Sequence, residues 1–356
     1  MKKIAIIIGD ITRLAGTERA VCNLSNLLSE SRKYDVLIIS AYSFAGQNLA
    51  YNVNSNVSVL HLGLPLIKNK IVKFKLYCTL LKKINKICIE NNVNVILGTA
   101  HAFNVLLFFL KNGIKLVACE HYGFMEPRLY LRMIKRIVYP YLDAVVVLTK
   151  TDIKNYLFRK NVRAIPNSLS FLADKQATLN NKVILAVGSL IERKGFDLLI
   201  DAISLIKDIC FGWEVKIIGS GEVEDKLKKQ ILSMKLTDIV KIYPPTNEIL
   251  QEYLNASIFV LSSRQEGFGL VIIEAQSCGL PVISFDCPKG PKEIINHNED
   301  GMLVKAENTS ELSKAILELI KNQEKRIELG KNALQNSKKY LPENIFILWD
   351  TLLSEM

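Results

Sequence analysis

The chain has 356 residues, 49% of them hydrophobic, and a formal net charge of +11. That length exceeds what one core usually serves, so two domains are expected, and no run approaches the roughly 18 apolar residues of a membrane span. The seven cysteines are odd in number, scattered and without a CxxC pair, which argues for a reducing cytosol, mostly buried thiols and no zinc site.

After Met1-Lys2-Lys3 comes Ile4-Ala5-Ile6-Ile7-Ile8-Gly9, an apolar run too short for a signal peptide and closed by a turn residue, so it predicts a first buried strand. Similar runs follow at 35–40, 57–62, 93–98, 114–119 and 143–149, each separated by a longer helical pattern. This alternation predicts an α/β domain built on a parallel sheet. The excess charge lies here: residues 1–150 carry 20 Lys and Arg against 8 Asp and Glu, while the remainder is nearly neutral. Its densest piece, Leu66 to Lys86, threads Lys68, Lys70, Lys73, Lys75, Lys82, Lys83 and Lys86 through apolar residues. Such a stretch suits a helix lying on an anionic membrane surface, and equally the solvated face of an ordinary helix. Nucleic acid ranks last as a partner, because arginine and aromatic platforms are sparse in it.

A polar stretch without period, Pro166 to Lys182, suggests a linker, placed at 169–182 between domains at 1–168 and 183–340. The second domain repeats the alternation, with strand-like runs at 182–188, 214–219, 239–243, 257–263 and 281–285. After Glu311 the chain turns helical at 312–320 and 324–340. Beyond Pro342 a last helix at 341–356, carrying Ile345, Leu348, Trp349 and Leu352, must pack somewhere, with the first domain as the expected place. Ligands in open α/β sheets gather at the carboxyl ends of strands. Two sheets would present two such edges, and a cleft where they face.

The candidate residues cluster at those edges. Glu266 follows a strand, and Gly267-Phe268-Gly269 opens the helix holding Leu270, Val271 and Glu274. Helix-start amides and the helix dipole attract a phosphate or sugar oxygen, glycine admits a ligand to the backbone, and carboxylates accept hydrogen bonds from sugar hydroxyls. By spacing alone Glu274 is as well explained as a helix-start charge. Gly188 to Gly195, with Arg193 and Lys194 at another helix start, suits a diphosphate, although a basic turn alone is more often solvated. In the first domain Gly9 to Arg19 is a strand, loop and helix sequence without GxGxxG, which argues against a nicotinamide dehydrogenase. His121 follows the run ending at Cys119 and should also sit at a ligand edge. There is no Asp-x-Asp and no cluster with metal-ligand spacing, so no bound metal is expected.

Gly16-Thr17-Glu18-Arg19, Glu120-His121, Ile165-Pro166-Asn167-Ser168, Gly188 to Gly195 and the Glu266/Glu274 pair together resemble glycosyltransferase family 4, retaining enzymes with the two-Rossmann GT-B fold. Order, spacing and strand context agree over nearly the full chain. The segment "FDCPKGPKEII" further resembles bacterial enzymes that build O-antigen and capsule polysaccharide on polyprenyl-diphosphate carriers.

The resemblance implies a role for each position. Glu274 would bind the ribose of a nucleotide sugar and Glu266 the donor sugar. Gly267, Phe268, Gly269, Leu270 and Val271 would supply backbone contacts. Lys194 and Arg193 would neutralise the leaving diphosphate in place of a divalent cation, Gly16 would admit the donor phosphate, and His121 would orient the transferred sugar. No cofactor is implied, since the nucleotide sugar is the donor substrate.

The implied partners are that donor, a lipid-linked or glycan acceptor and an anionic membrane surface, at the inner face of the cell membrane. Three positions depart from the family pattern: Ser189 stands where arginine is common, Ala15 replaces the first of two glycines, and "YPPTNEI" at 243–249 replaces a glycine-containing loop. Two other functions compete, a UDP-sugar epimerase of the same fold and a non-catalytic basic membrane or nucleic-acid binding protein.

Overall fold

The β-branched run at the start forms a strand, Lys2–Ile8 (β1), whose side chains alternate between two cores. Ile4, Ile6 and Ile8 enter one, while Ala5 and Ile7 enter the other. A strand buried on both faces is what a parallel sheet with helices on each side requires. The computed structural model describes residues 1–65, 70–110, 113–121, 123–124, 126–159, 161–210 and 212–356.

Two units divide the chain, one formed by Met1–Ser170 with Pro342–Met356 and the other by Phe171–Leu341. In the first unit β1 is joined by Tyr34–Ser40 (β2), Ser58–His61 (β3), Val95–Gly98 (β4), Lys115–Glu120 (β5), Ala144–Val147 (β6) and Val162–Ala164 (β7). All pairings are parallel, in the order β3-β2-β1-β4-β5-β6-β7. The helices are Gly16–Glu30 (α1), Lys70–Glu90 (α2), His101–Leu106 (α3), Leu129–Val138 (α4) and the single turn Lys150–Ile153 (α5).

The lysine-rich stretch meets this unit in α2. Leu66, Ile67, Lys68 and Asn69 lie outside the described residues, as do the side chains of residues 70–74. In the described part, Leu80, Ile84 and Cys88 are spaced by one turn and buried in the core that holds Ala5 and Ile7. Lys75, Lys82, Lys83 and Lys86 are exposed. The described apolar residues Leu80 and Ile84 of that stretch are therefore used by the core, and what this part of α2 shows to solvent is mainly charge.

The second unit contains Val183–Val187 (β8), Glu214–Ile218 (β9), Val240–Tyr243 (β10), Ile258–Leu261 (β11), Val282–Asp286 (β12) and Gly301–Lys305 (β13). They form a parallel sheet in the order β10-β9-β8-β11-β12-β13. Its helices are Phe196–Ser204 (α6), Glu224–Ser233 (α7), Ile249–Leu254 (α8), Leu270–Ser277 (α9), Pro291–Ile294 (α10), Thr309–Lys321 (α11) and Gln323–Ser337 (α12). Asn308 and Asn322 cap α11 and α12 by accepting from Glu311 and Lys325 N–H. Residues 171–182, placed in a linker by their polarity, are part of this unit: Ala177 and Leu179 are buried, and Ala177 N–H donates to Cys278 O at 2.9 Å.

The last helix, Pro342–Ser354 (α13), returns to the first unit. Ile345, Trp349, Leu352 and Leu353 join Ile4, Ile6, Val21, Cys22 and Leu28 in one core. Lys2 Nζ donates to Leu353 O at 2.6 Å, and Lys33 Nζ and Tyr34 Oη both reach Asp350 at 2.7 Å. Six of the seven thiols are buried and Cys78 is exposed. No helix among the described residues is long and apolar enough to cross a membrane.

Candidate active site

In each sheet the strand order reverses beside the first strand, between β1 and β4 and between β8 and β11. A crevice opens outside the carboxyl ends of strands at such a reversal. In the second unit the two motifs singled out by sequence flank it: Gly188 to Gly195 follows β8, and Ser262 to Glu266 follows β11.

One glycine lets these loops run against each other. Gly195 has φ +62°, and a Cβ there would lie 2.1 Å from Ser262 O. Gly269, the residue before α9, has φ +97°. The loops are then bonded together: Ser262 Oγ–H donates to Lys194 O at 3.2 Å, and Arg264 N–H donates to Arg193 O at 2.9 Å. The Arg264 guanidinium grips both oxygens of Asp197, at 2.8 and 2.7 Å, and donates to Glu192 O at 2.8 Å.

Within that frame Lys194 Nζ lies 2.5 Å from Glu266 Oε1, and Ser263 Oγ–H donates to the same oxygen at 2.6 Å. Glu266 is buried, which by itself would raise its pKa. Lys194, with Ser263 and Arg193, outweighs the burial and holds the carboxyl below its ordinary value. Glu266 is therefore an ionised acceptor near neutral pH and a poor proton donor. Arg193 Nη1 is 3.5 Å from Gln265 O, beside the same carboxylate.

The helix that follows supplies amides at Leu270 and Val271, preceded by Gly267, Phe268 and Gly269. Phe268 is buried against Tyr340, ring centroids 5.6 Å apart, so that backbone rests on a packed base. Glu274, inside α9, is fully buried and its Oε2 accepts from Tyr253 Oη at 3.0 Å. The frame thus separates its two acids, one bonded to a lysine and a serine and one to a tyrosine.

In the first unit Gly16 is the exposed first residue of α1, with nothing within 4 Å of where a Cβ would be. His121, just past β5, is half-buried and lines a cavity with Ala20, Val21, Asn167 and Ser168. Three segments that are distant in sequence meet there. Burial lowers the His121 pKa, Glu120 raises it, His101 lowers it, and the result is about 4, a neutral imidazole near neutral pH.

Behind His121, Glu120 is buried and surrounded by donors. Its Oε2 is 2.6 Å from Lys135 Nζ and 3.1 Å from His101 Nδ1, and its Oε1 accepts from Asn104 at 2.8 Å and from Tyr139 Oη. Burial would raise this carboxyl, but Lys135 and His101 hold it well below its ordinary value. Lys135 lies on α4 with no exposed surface in its side chain. Among the described residues no group of three or more His, Cys, Asp and Glu is placed to hold a metal ion.

Sequence reasoning missed Arg264, Asp197, Ser263 and Tyr253 in the second unit and the Lys135, His101, Asn104 and Tyr139 set around Glu120. Arg264 and Asp197 are separated by 67 positions, so no local pattern links them.

Solved structures resemble this fold over their full length. A mutant of Staphylococcus aureus TarM in complex with Fondaparinux, alpha-GlcNAc-glycerol and UDP aligns with a TM-score of 0.80 at 16% identity, covering 99% of both chains. Anabaena HepE in complex with UDP-glucose aligns with a TM-score of 0.79 at 17% identity, covering 100% of both. The two parallel sheets and these neighbours define the two-Rossmann GT-B fold.

Sequence relatives give the family. An uncharacterized glycosyltransferase of Haemophilus influenzae is 32% identical over 99% of this chain and 100% of its own. The amylovoran biosynthesis glycosyltransferase AmsD of Erwinia amylovora is 31% identical over 99% and 100%. A Campylobacter jejuni alpha-1,4-N-acetyl-D-galactosaminyltransferase, named for a diNAcBac-PP-undecaprenol-linked acceptor, is 28% identical over 100% and 99%. The family model described as glycosyl transferases group 1 matches residues 171–336. The chain belongs to that family and is a glycosyltransferase.

Proposed function

We propose that the protein is a retaining glycosyltransferase of family 4 that transfers a sugar from a UDP-sugar to a polyprenyl-diphosphate-linked glycan at the inner face of the cell membrane, in the synthesis of a bacterial surface polysaccharide such as O-antigen or capsule. The observation that carries this reading is the Lys194–Glu266 pair at the strand reversal, beside the amides that open α9. A fixed cation and unpaired helix-start donors stabilise a leaving diphosphate, and an ionised carboxylate accepts hydrogen bonds from sugar hydroxyls.

In this reading Lys194 and Arg193 take up the charge that develops on the diphosphate, without a divalent cation. Glu266 holds the donor sugar, and Glu274 holds the ribose. Gly267 to Val271 present backbone to sugar and phosphate, Gly16 admits the donor phosphate, and neutral His121 hydrogen-bonds the transferred sugar. The anomeric C1–O bond to phosphate breaks and a C1–O bond to the acceptor hydroxyl forms on the same face. The acceptor's proton passes to the departing phosphate oxygen, and UDP is released. Glu266, held below its ordinary pKa by Lys194, is a weak base, which supports assigning the acceptor's proton to the leaving phosphate.

The lipid-linked acceptor is supported by the name of the Campylobacter relative, and the UDP donor by the ligands of TarM and HepE. The α linkage in that relative's name supports retention, because UDP-glucose and its kin are themselves α at C1. A thermal-shift panel of nucleotide sugars tests the donor, since a native-state ligand raises stability by mass action. Incubating the stabilising donor with a polyprenyl-diphosphate-linked sugar should then give an α-linked product. Conversion of the donor to an epimer without acceptor, or a β product, would refute the proposal.

A further inference from the structure

We infer that the outward side of α4 is a docking surface for an anionic lipid bilayer. This helix has three faces. Ile134, Lys135 and Val138 point into the first unit, with Lys135 bonded to Glu120. A second face carries Leu129, Tyr130, Met133 and Ile137, which are 64%, 56%, 58% and 67% exposed. Arg128, Arg132 and Arg136, each one turn from the next, run along the flank of that apolar face. From Pro127 to Leu142 the chain contains no acid.

Single exposed apolar residues are common, but four on one face of a ten-residue helix are a patch. Exposed aromatics continue it beyond the helix end: Tyr141 packs on Phe108, which packs on Phe109, and Tyr141 and Phe109 are 62% and 63% exposed. An apolar strip bordered by arginines matches an interface where acyl chains lie beneath anionic headgroups. Tyrosine, apolar in the ring and polar at the tip, is favoured at that depth. The charge of residues 1–150, 20 basic against 8 acidic, has the sign that draws this unit to such a surface.

The described part of α2 lacks the first requirement, because Leu80, Ile84 and Cys88 are in the core. It contributes lysines and not insertion. In α4 the core uses one face and leaves a second apolar face outside. The inference gives the proposed lipid-linked acceptor a surface on which to be met, but its test stands apart from that reading.

Flotation with phosphatidylcholine vesicles, with and without phosphatidylglycerol, reads the binding directly. The wild-type chain should float with the anionic vesicles and lose binding as salt rises. Leu129→Gln/Met133→Gln/Ile137→Gln, which alters only exposed side chains, should weaken vesicle binding roughly tenfold or more while leaving transfer to a water-soluble acceptor unchanged. Arg128→Ser/Arg136→Ser should remove the preference for anionic lipid. Lys82→Ser/Lys83→Ser/Lys86→Ser on α2 should have the smaller effect.

Three results would overturn the inference: no flotation of the wild type, unchanged flotation of the triple glutamine variant, or loss of flotation only in the α2 variant. A concentration-dependent dimer that the glutamine variant abolishes, without vesicle binding, would assign the patch to a second copy and equally overturn it. Flotation without any sugar transfer would leave this inference standing and remove the proposed function.

Discussion

Lys194 Nζ and Glu266 Oε1 meet at 2.5 Å, although the residues are 72 positions apart, because Gly195 lets the β8 loop lie against the end of β11. The pair places a cation and an ionised acceptor at one strand reversal. Lys194→Ala should lower turnover by roughly a hundredfold, the effect of losing one preorganised donor to a developing charge. It also leaves Glu266 buried without its main partner, so the carboxyl should titrate higher. A folded Lys194→Ala enzyme with nearly wild-type turnover would count against the diphosphate role.

Glu274 and its partner Tyr253 separate binding from packing. Glu274→Gln keeps the shape but loses the charge, and should weaken UDP binding roughly tenfold or more, the worth of hydrogen bonds to a charged group. Tyr253→Phe should cost about 1 kcal/mol of stability and change UDP affinity far less. Calorimetric titration with UDP checks both, and equal affinity in Glu274→Gln would refute the ribose assignment.

Arg264 holds the two loops through its bidentate grip on Asp197. Arg264→Lys retains the charge without the fork and should cost about 2 kcal/mol, or roughly 5 °C in Tm. It should also lower kcat/KM, because Lys194 and Glu266 stand on those loops. Glu307→Gln removes the more exposed contact of Arg264 and should change Tm little. Equal effects from the two variants would show that the fork does not organise the site.

His121 gives stability a defined pH dependence. Its pKa falls from 6.5 to about 4 in the native chain, so between those values the unfolded chain binds a proton that the native chain does not. Stability is then complete above 6.5 and declines as pH falls toward about 4. Glu266, lowered from 4.5, adds a loss only below that value, which leaves the upper part of the His121 window clear. Urea unfolding across mildly acidic pH should show the decline in wild type and a flatter profile in His121→Gln. Equal slopes would place the proton elsewhere.

Much of the architecture is legible in the chain itself. Runs such as Ile4 to Ile8 and Val145 to Val147 are apolar at every position because the sheet buries both of their faces, and that pattern survives without knowledge of any partner. Eleven strand-like runs all appear as strands, whereas Val162–Ala164 and Gly301–Lys305 escaped notice. These two lie at sheet edges, where Arg163 interrupts one three-residue strand and Gly301 and Lys305 leave only three apolar residues between them in the other. The loops after β8 and β11 were also legible, because glycine and charge at a helix start are local features.

The sequence by itself determined most of the segments that become strands and which strand ends carry glycine, carboxylate and lysine. Only the tertiary structure decided which distant groups meet, as in Arg264 with Asp197 or Lys135 with Glu120. Only it decided that Leu80, Ile84 and Cys88 of α2 belong to the core while α4 keeps a second stripe outside. The reason is physical: backbone periodicity is set by near neighbours along the chain, whereas burial and ion pairing depend on what folding brings to each face.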